Sequence, residues 1–356
     1  MRIVPIAIIV LILVAPASVA TEVPSSEVIN ALEGRHEALR HQVDALSKSI
    51  DDLLWFHRVG DIAVVDKVRI YGPPRWKEEN PNAIGAGNPV KFYSYVFTPK
   101  AFEDLENLPL LILPHGGVHA DFTTYYAHIV RELMAQGYIV VAPEYRGSTG
   151  YGKSFYEKID YGGREVGDCV AARDWAVKNH PRVDPDRVGI LGWSHGGLIA
   201  LMSLFDHPQS FACAFAGVPV SDLVMRMGVW GPEYQAYYDA DYHIGQTPEE
   251  NLEEYKRRSP VWNVDKLSKP LRIHTNPHDE DVTFIEVEHL IQALKAEDKD
   301  FEYQIYDVPG GHSFDRLDTP EAWEGRKAIY GFLARYLKPP QPKVSLGISA
   351  TGIAAP

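Results

Sequence analysis

Gly192-Trp193-Ser194-His195-Gly196-Gly197 places a serine between glycines two residues to either side. A serine hydroxyl is a poor nucleophile unless its setting activates it. One such setting is a sharp turn between a buried strand and a helix, which lifts the hydroxyl clear of the sheet. Val188-Gly189-Ile190-Leu191 reads as the strand, and Gly197-Leu198-Ile199-Ala200 opens an apolar helix. Bulky groups at 192 or 196 would collide with strand or helix, which accounts for the glycines. Ser194 would then stand at a helix N-terminus, where developing negative charge is stabilised. The backbone N–H of His195 would point at an oxyanion.

A serine nucleophile needs a base, and the base needs an orienting carboxylate. In a strand–turn–helix elbow of this kind the chain order is Ser, then Asp or Glu, then His. Val308-Pro309-Gly310-Gly311-His312-Ser313 follows the last strand-like run and makes His312 the candidate base. The loop after Leu271–His274 offers Asp279, Glu280 and Asp281 as the carboxylate. His274 and His278 read as structural or surface residues. A second oxyanion donor is expected after an earlier strand. Leu110–Leu113 runs into Pro114-His115-Gly116-Gly117, and the Gly117 N–H is the candidate. No C-x-x-C or H-E-x-x-H occurs, so the sequence offers no metal site, and this chemistry needs no cofactor.

The surrounding elements must hold these groups. From residue 108 onward, short apolar runs alternate with helical stretches: 110–113, 138–142, 188–191, 212–216, 271–274 and 301–306 against 125–135, 166–178, 196–205, 284–296 and 320–336. Such alternation predicts a mostly parallel sheet covered by helices on both faces, with its site at the carboxyl ends of the strands. With the elbow, the predicted class is α/β, of the α/β-hydrolase fold. Residues 60–71 and 91–98 read as two further strands. The expected division is a signal segment over 1–20, a helical segment over 21–58, a strand and linker over 59–88, the catalytic domain over 89–337 and a disordered tail over 338–356.

The N-terminal segments carry their own patterns. Met1-Arg2, the apolar run Ile3–Val14 and the small residues Ser18 and Ala20 read as a secretory signal cleaved after Ala20. Export, to a periplasm or beyond, is the expectation, with no membrane span once the signal is removed. Leu32, Leu39, Leu46 and Leu53 recur every seven residues, with Ile29, His36, Val43 and Ile50 three positions ahead of them. This heptad suits either a parallel dimeric coiled coil over residues 29–56 or a helix laid on its own domain. The formal net charge of −13 opposes a nucleic-acid partner. Cys169 and Cys213 read as buried small apolar residues.

These residues together resemble the catalytic domain of the prolyl oligopeptidase family, nearest in pattern to acylaminoacyl peptidases, from about Pro89 to Leu337. The motifs are Arg146-Gly147-Ser148-Thr149-Gly150-Tyr151-Gly152-Lys153-Ser154-Phe155, Asp184-Pro185-Asp186-Arg187-Val188-Gly189, Ala216–Asp222 and Ser259-Pro260. The resemblance implies that the catalytic Asp stands three residues before a Val, here Val282, which selects Asp279. It departs at His274-Thr275-Asn276 and in a loop one residue longer. His115-Gly116-Gly117 fits the branch with a backbone oxyanion donor. Many family members carry a β-propeller filter, and only about 70 residues stand before the domain here, so no such filter is expected. Trp230, Tyr234 and Tyr238, in a stretch that often caps the pocket, are candidate substrate contacts; they could equally pack the cap. Three functions remain open: a serine peptidase on small peptides, a carboxylesterase using the same groups, and a non-catalytic binding protein on this scaffold.

Overall fold

In the computed structural model, which describes residues 26–78 and 80–343, the sequence from Ala63 onward wraps one sheet. Its strands are β1 (Ala63–Pro74), β2 (Pro89–Pro99), β3 (Leu108–Ile112), β4 (Ile139–Glu144), β5 (Val183–Trp193), β6 (Cys213–Gly217), β7 (Leu271–Thr275) and β8 (Glu302–Ile305). The helices are α1 (Ser26–Val59), α2 (Ala127–Met134), α3 (Lys153–Tyr156), α4 (Arg164–Asn179), α5 (His195–Asp206), α6 (Leu223–Val229), α7 (Pro232–Asp239), α8 (Leu252–Arg257), α9 (Phe284–Ala296) and α10 (Pro320–Leu337). The strand order is β1-β2-β4-β3-β5-β6-β7-β8. β1, β2 and β4 pair antiparallel, and every pairing from β4 through β8 is parallel. The predicted signal segment and the end of the predicted tail lie outside the described residues.

The two faces follow from the strand period of two. Leu110 and Ile112 face one buried cluster together with Cys169 and Ala172 of α4, Leu198 and Leu201 of α5 and Leu290 of α9. Leu111 and Leu113 face the other, with Ile129 and Leu133 of α2 and Ile329 and Leu333 of α10. A parallel sheet covered on both sides reads as continuous apolar runs, which is why β3 to β6 were legible. Cys169 and Cys213 are free and buried, one on each face. The tail departs from expectation at its start, because Gln341 N donates to Gln136 O and Lys343 N to Gln136 Oε1.

The chain divides into two compact units at Arg40/His41. Within the first, residues 26–40 are helical, and Ile29, Leu32 and Leu39 are exposed. Within the second, the heptad residues Val43, Leu46, Ile50 and Leu53 are exposed too. The stripe that packs on the domain is a different one: His41, Lys48 and Trp55, also seven apart, are buried. Trp55 decides the choice. It is fully buried against Phe97 and Phe122, and burying a side chain of that size contributes roughly 1.5–3 kcal/mol. Within residues 41–59, the face that packs on the domain is therefore the one that carries His41, Lys48 and Trp55 rather than the leucines.

Candidate active site

β5 ends at Trp193 and α5 begins at His195, so Ser194 alone makes the turn. Its φ of 59° and ψ of −123° are a strained combination for a residue with a side chain. Ser194 N donates to Gly217 O, and Ser194 O accepts from Leu198 N and Val220 N. These bonds hold the strain in place. A Cβ on Gly192 would fall 2.2 Å from Gly196 O, and one on Gly196 would fall 2.4 Å from Pro114 O. The glycines two residues either side of the serine are thus steric necessities. His195 is the first residue of α5 rather than a loop residue, and its N–H is one of those a helix leaves unpaired. Its imidazole is buried, tilted against the Tyr161 ring, and burial holds it well below its ordinary pKa.

His312 follows Gly310, which takes the left-handed conformation, in the short turn Gly311–Ser313. Its Nδ1 lies 2.8 Å from Asp279 Oδ2 and 3.0 Å from Oδ1. That bond fixes the neutral tautomer with the lone pair on Nε2, as a base requires. The Asp279 side chain is fully buried, and its Oδ1 also accepts from Asp281 N and Val282 N. The Asp281 side chain is exposed. Ligand atoms of Asp279, Asp281 and His312 lie within 4.8 Å of one another and could gather a cation. His312 Nδ1 is committed to Asp279, however, so the arrangement orients an imidazole first.

Ser194 and His312 line one cleft of about 450 Å³ with Gly116, Gly117 and Val118 of the loop after β3. A Cβ on Gly116 would lie 3.3 Å from Ser194 Cβ, so this loop runs directly against the nucleophile. Gly117 has a φ of 86°.

The aromatic residues separate. Tyr234 lines the cleft; Tyr238, one turn further along α7, is fully buried against Tyr161 and His243. Trp230 packs on Tyr234 and the Arg226 guanidinium and is not part of the lining. Tyr237, on the same helix, reaches the cleft instead. Two arginines that sequence reasoning missed also line it. Arg226 is buried, paired with Glu286 at 3.1 Å, and donates to Tyr234 Oη and Asp281 O. Arg316 donates to the His312 carbonyl. The one available signal for Arg226 was a single charge inside the apolar run Leu223–Met227.

The elbow, the imidazole–carboxylate pair and the sheet order define an α/β-hydrolase. The profile of the Prolyl oligopeptidase family matches residues 124–340, more than half of the chain. The chain belongs to that family. It is 29% identical over 244 residues to the acylamino-acid-releasing enzyme of Arabidopsis thaliana, covering 67% of this chain and 31% of that enzyme. It is 27% identical over 294 residues to dipeptidyl aminopeptidase BIII of Pseudoxanthomonas mexicana, covering 80% and 41%. Among solved structures, an acylaminoacyl peptidase in complex with Z-Gly-Gly-Phe-chloromethyl ketone superposes with a TM-score of 0.65 at 21% identity, over 81% of this chain and 43% of that one. A Mycobacterium tuberculosis puromycin-hydrolyzing peptidase gives 0.65 at 23%, over 80% and 41%. These two likenesses concern the fold. The chain thus spans well under half the length of the relatives it matches.

Proposed function

We propose that this chain is a serine peptidase that cleaves short or N-acylated peptides through an acyl-enzyme. The observation that carries the reading is His312, lining one cleft with Ser194 in its strained turn and bonded to the buried Asp279 behind it. Ser194 Oγ attacks the scissile carbonyl carbon while His312 Nε2 takes its proton. The His195 and Gly117 N–H groups hold the oxyanion. The C–N bond then breaks, and the leaving amine takes the proton from His312. Water repeats the sequence, releasing the acid and restoring Ser194. Asp279 keeps the imidazole in its tautomer throughout. Tyr125, Tyr234 and Tyr237 supply apolar wall for the acyl side, as ligand pockets generally require.

The test compares acyl-aminoacyl anilides, free aminoacyl anilides and short acyl esters on the purified protein, with Ser194→Ala as the blank. Ser194-dependent anilide cleavage is the expected result. Turnover of esters alone would replace the peptidase by a carboxylesterase. No Ser194-dependent turnover on any substrate would leave a binding protein.

The exposed heptad stripe supports a second reading, that α1 pairs with α1 of another copy. Mostly β-branched residues at one seam position, with His36 the exception, and Leu at the other are self-complementary in a parallel dimer. Size-exclusion chromatography with light scattering is expected to give a dimer for the wild type and a monomer for Leu39→Ala/Leu46→Ala. Equal masses for the two would remove the proposal.

A further inference from the structure

The stripe of α1 that packs on the domain carries a lysine where an apolar residue would be expected. Lys48 is 2% exposed. Its ammonium donates to Phe122 O at 2.5 Å and lies 2.6 Å from Glu144 Oε1 and 3.2 Å from Asp121 Oδ2. An ammonium has three donors; here one goes to the Phe122 carbonyl, and the two carboxylates stand at ion-pair distance. Two of the partners, Asp121 and Phe122, belong to the loop that starts at Pro114 after β3, and this loop carries Gly116 and Gly117. The third, Glu144, is the fully buried last residue of β4. Its other oxygen accepts from Phe122 N at 3.1 Å. Phe122 is thus gripped at its carbonyl by Lys48 and at its N–H by Glu144.

The grip continues on both sides. Asp51, one turn after Lys48, accepts from Thr124 N at 3.0 Å and from Thr124 Oγ1 at 2.7 Å. Glu144 Oε2 also lies 3.7 Å from His115 Nε2, which is 2.9 Å from Ser148 Oγ. A Cβ on Gly150 would fall 2.6 Å from Lys48 Cβ, so the turn at 146–151 leaves space only for the lysine stem. From the α1 side, residues 121–124 are held by the polar contacts of Lys48 and Asp51 and by Trp55, which stacks on Phe122. Burying the Lys48–Glu144 charge pair costs desolvation, and replacing such a pair by packed apolar groups is often neutral or stabilising. Its presence beside the oxyanion loop calls for a reason other than stability.

We propose that Lys48 and Asp51 are positioning residues, through which α1 holds the 114–124 loop so that the Gly117 N–H meets the oxyanion. The inference rests on the acyl-transfer reading above. A loop free to shift leaves substrate binding nearly intact but misplaces a donor that acts on the transition state, so kcat falls and KM does not.

The experiment takes the full chain and the Lys48→Met, Asp51→Ala and Ser194→Ala variants. Each is measured for kcat, KM, thermal midpoint and rate of Ser194 labelling by a fluorophosphonate. Folded Lys48→Met is expected to lose kcat about 10- to 100-fold with KM nearly unchanged, a part of the ~10²–10³ lost when an oxyanion donor is removed outright. Labelling should slow in parallel. Asp51→Ala, which removes the acceptor of both Thr124 donors while Lys48 keeps Glu144 and Asp121, should lose less in the same direction. If Lys48→Met does not fold, Asp51→Ala decides: a lower kcat at constant KM supports the role, and wild-type kcat overturns it. Wild-type kcat in folded Lys48→Met overturns it as well. An active wild type with unaffected variants would sink this inference alone, whereas a wild type no faster than Ser194→Ala would sink the acyl-transfer reading itself.

Discussion

Asp279→Asn is expected to lower kcat about 10⁴-fold, the loss that follows when an amide replaces the carboxylate of a Ser-His-Asp set. An amide can hydrogen-bond to His312 Nδ1 through its own N–H, which leaves the proton on Nε2. The imidazole is then a donor toward the serine and cannot take its proton. KM should change little, because Asp279 is buried behind His312 and touches no substrate. Asp281→Asn is the matched control. Its side chain is exposed, and a solvent-screened charge contributes weakly. Steady-state kinetics on one substrate checks both. Equal losses, or a larger loss at 281, would reassign the orienting carboxylate to Asp281. The backbone N–H groups of Asp281 and Val282 also hold Asp279 Oδ1, so Asp279→Ala should cost some stability as well as activity.

What was legible in the sequence was what sterics and period leave no choice about. Gly192 and Gly196 are glycines because neighbouring carbonyls occupy the space a side chain would need. Buried strands such as Leu110–Ile112 show as apolar runs because both of their faces are covered. The order of Ser194, Asp279 and His312 follows the order of β5, β7 and β8, which the alternation of strands and helices already implied. What was not legible depends on contacts between distant segments. The leucine heptad of α1 is the louder apolar signal, yet its exposed position contrasts with the buried stripe of His41, Lys48 and Trp55. Two of those three are polar, and for Lys48 only its partners, such as Glu144, make burial tolerable. The short helices α6, α7 and α8 were missed for a related reason, because each is at most about two turns long, and α6 and α8 are built on caps. Asp222 accepts from Val224 N and Met225 N, and Asn251 from Glu254 N. Tyr234 and Tyr238 looked equivalent at a spacing of four, but one turn of α7 takes the second from the cleft wall into the core.

Arg146→Met is expected to destabilise the fold by about 3–5 kcal/mol, the cost of stranding one partner of a fully buried ion pair. Arg146 opens the Arg-Gly-Ser stretch that marks the family, yet it does not reach the cleft. Its Nε and Nη2 meet the two oxygens of Asp168 at 2.7 and 2.6 Å, and both side chains are fully buried. Its remaining donors go to Pro73 O and Pro74 O, which ties the end of β1 to the turn after β4. Without the guanidinium, Asp168 keeps only the hydrogen bond from the backbone N–H of residue 146. Burial already holds the Asp168 carboxyl above its ordinary value, against the pull of Arg146. Losing that pull raises it further. A carboxyl whose pKa is higher folded than unfolded weakens the fold as pH rises through that window and spares it below, where it is neutral in both states. The stability deficit of Arg146→Met, read from urea midpoints, should therefore be larger at pH 8 than at pH 5. Arg146→Met/Asp168→Leu removes the stranded charge and should recover part of the loss. A double variant as unstable as the single one, with no dependence on pH, would show that the lost bonds to Pro73 and Pro74, rather than the ion pair, set the role of this arginine.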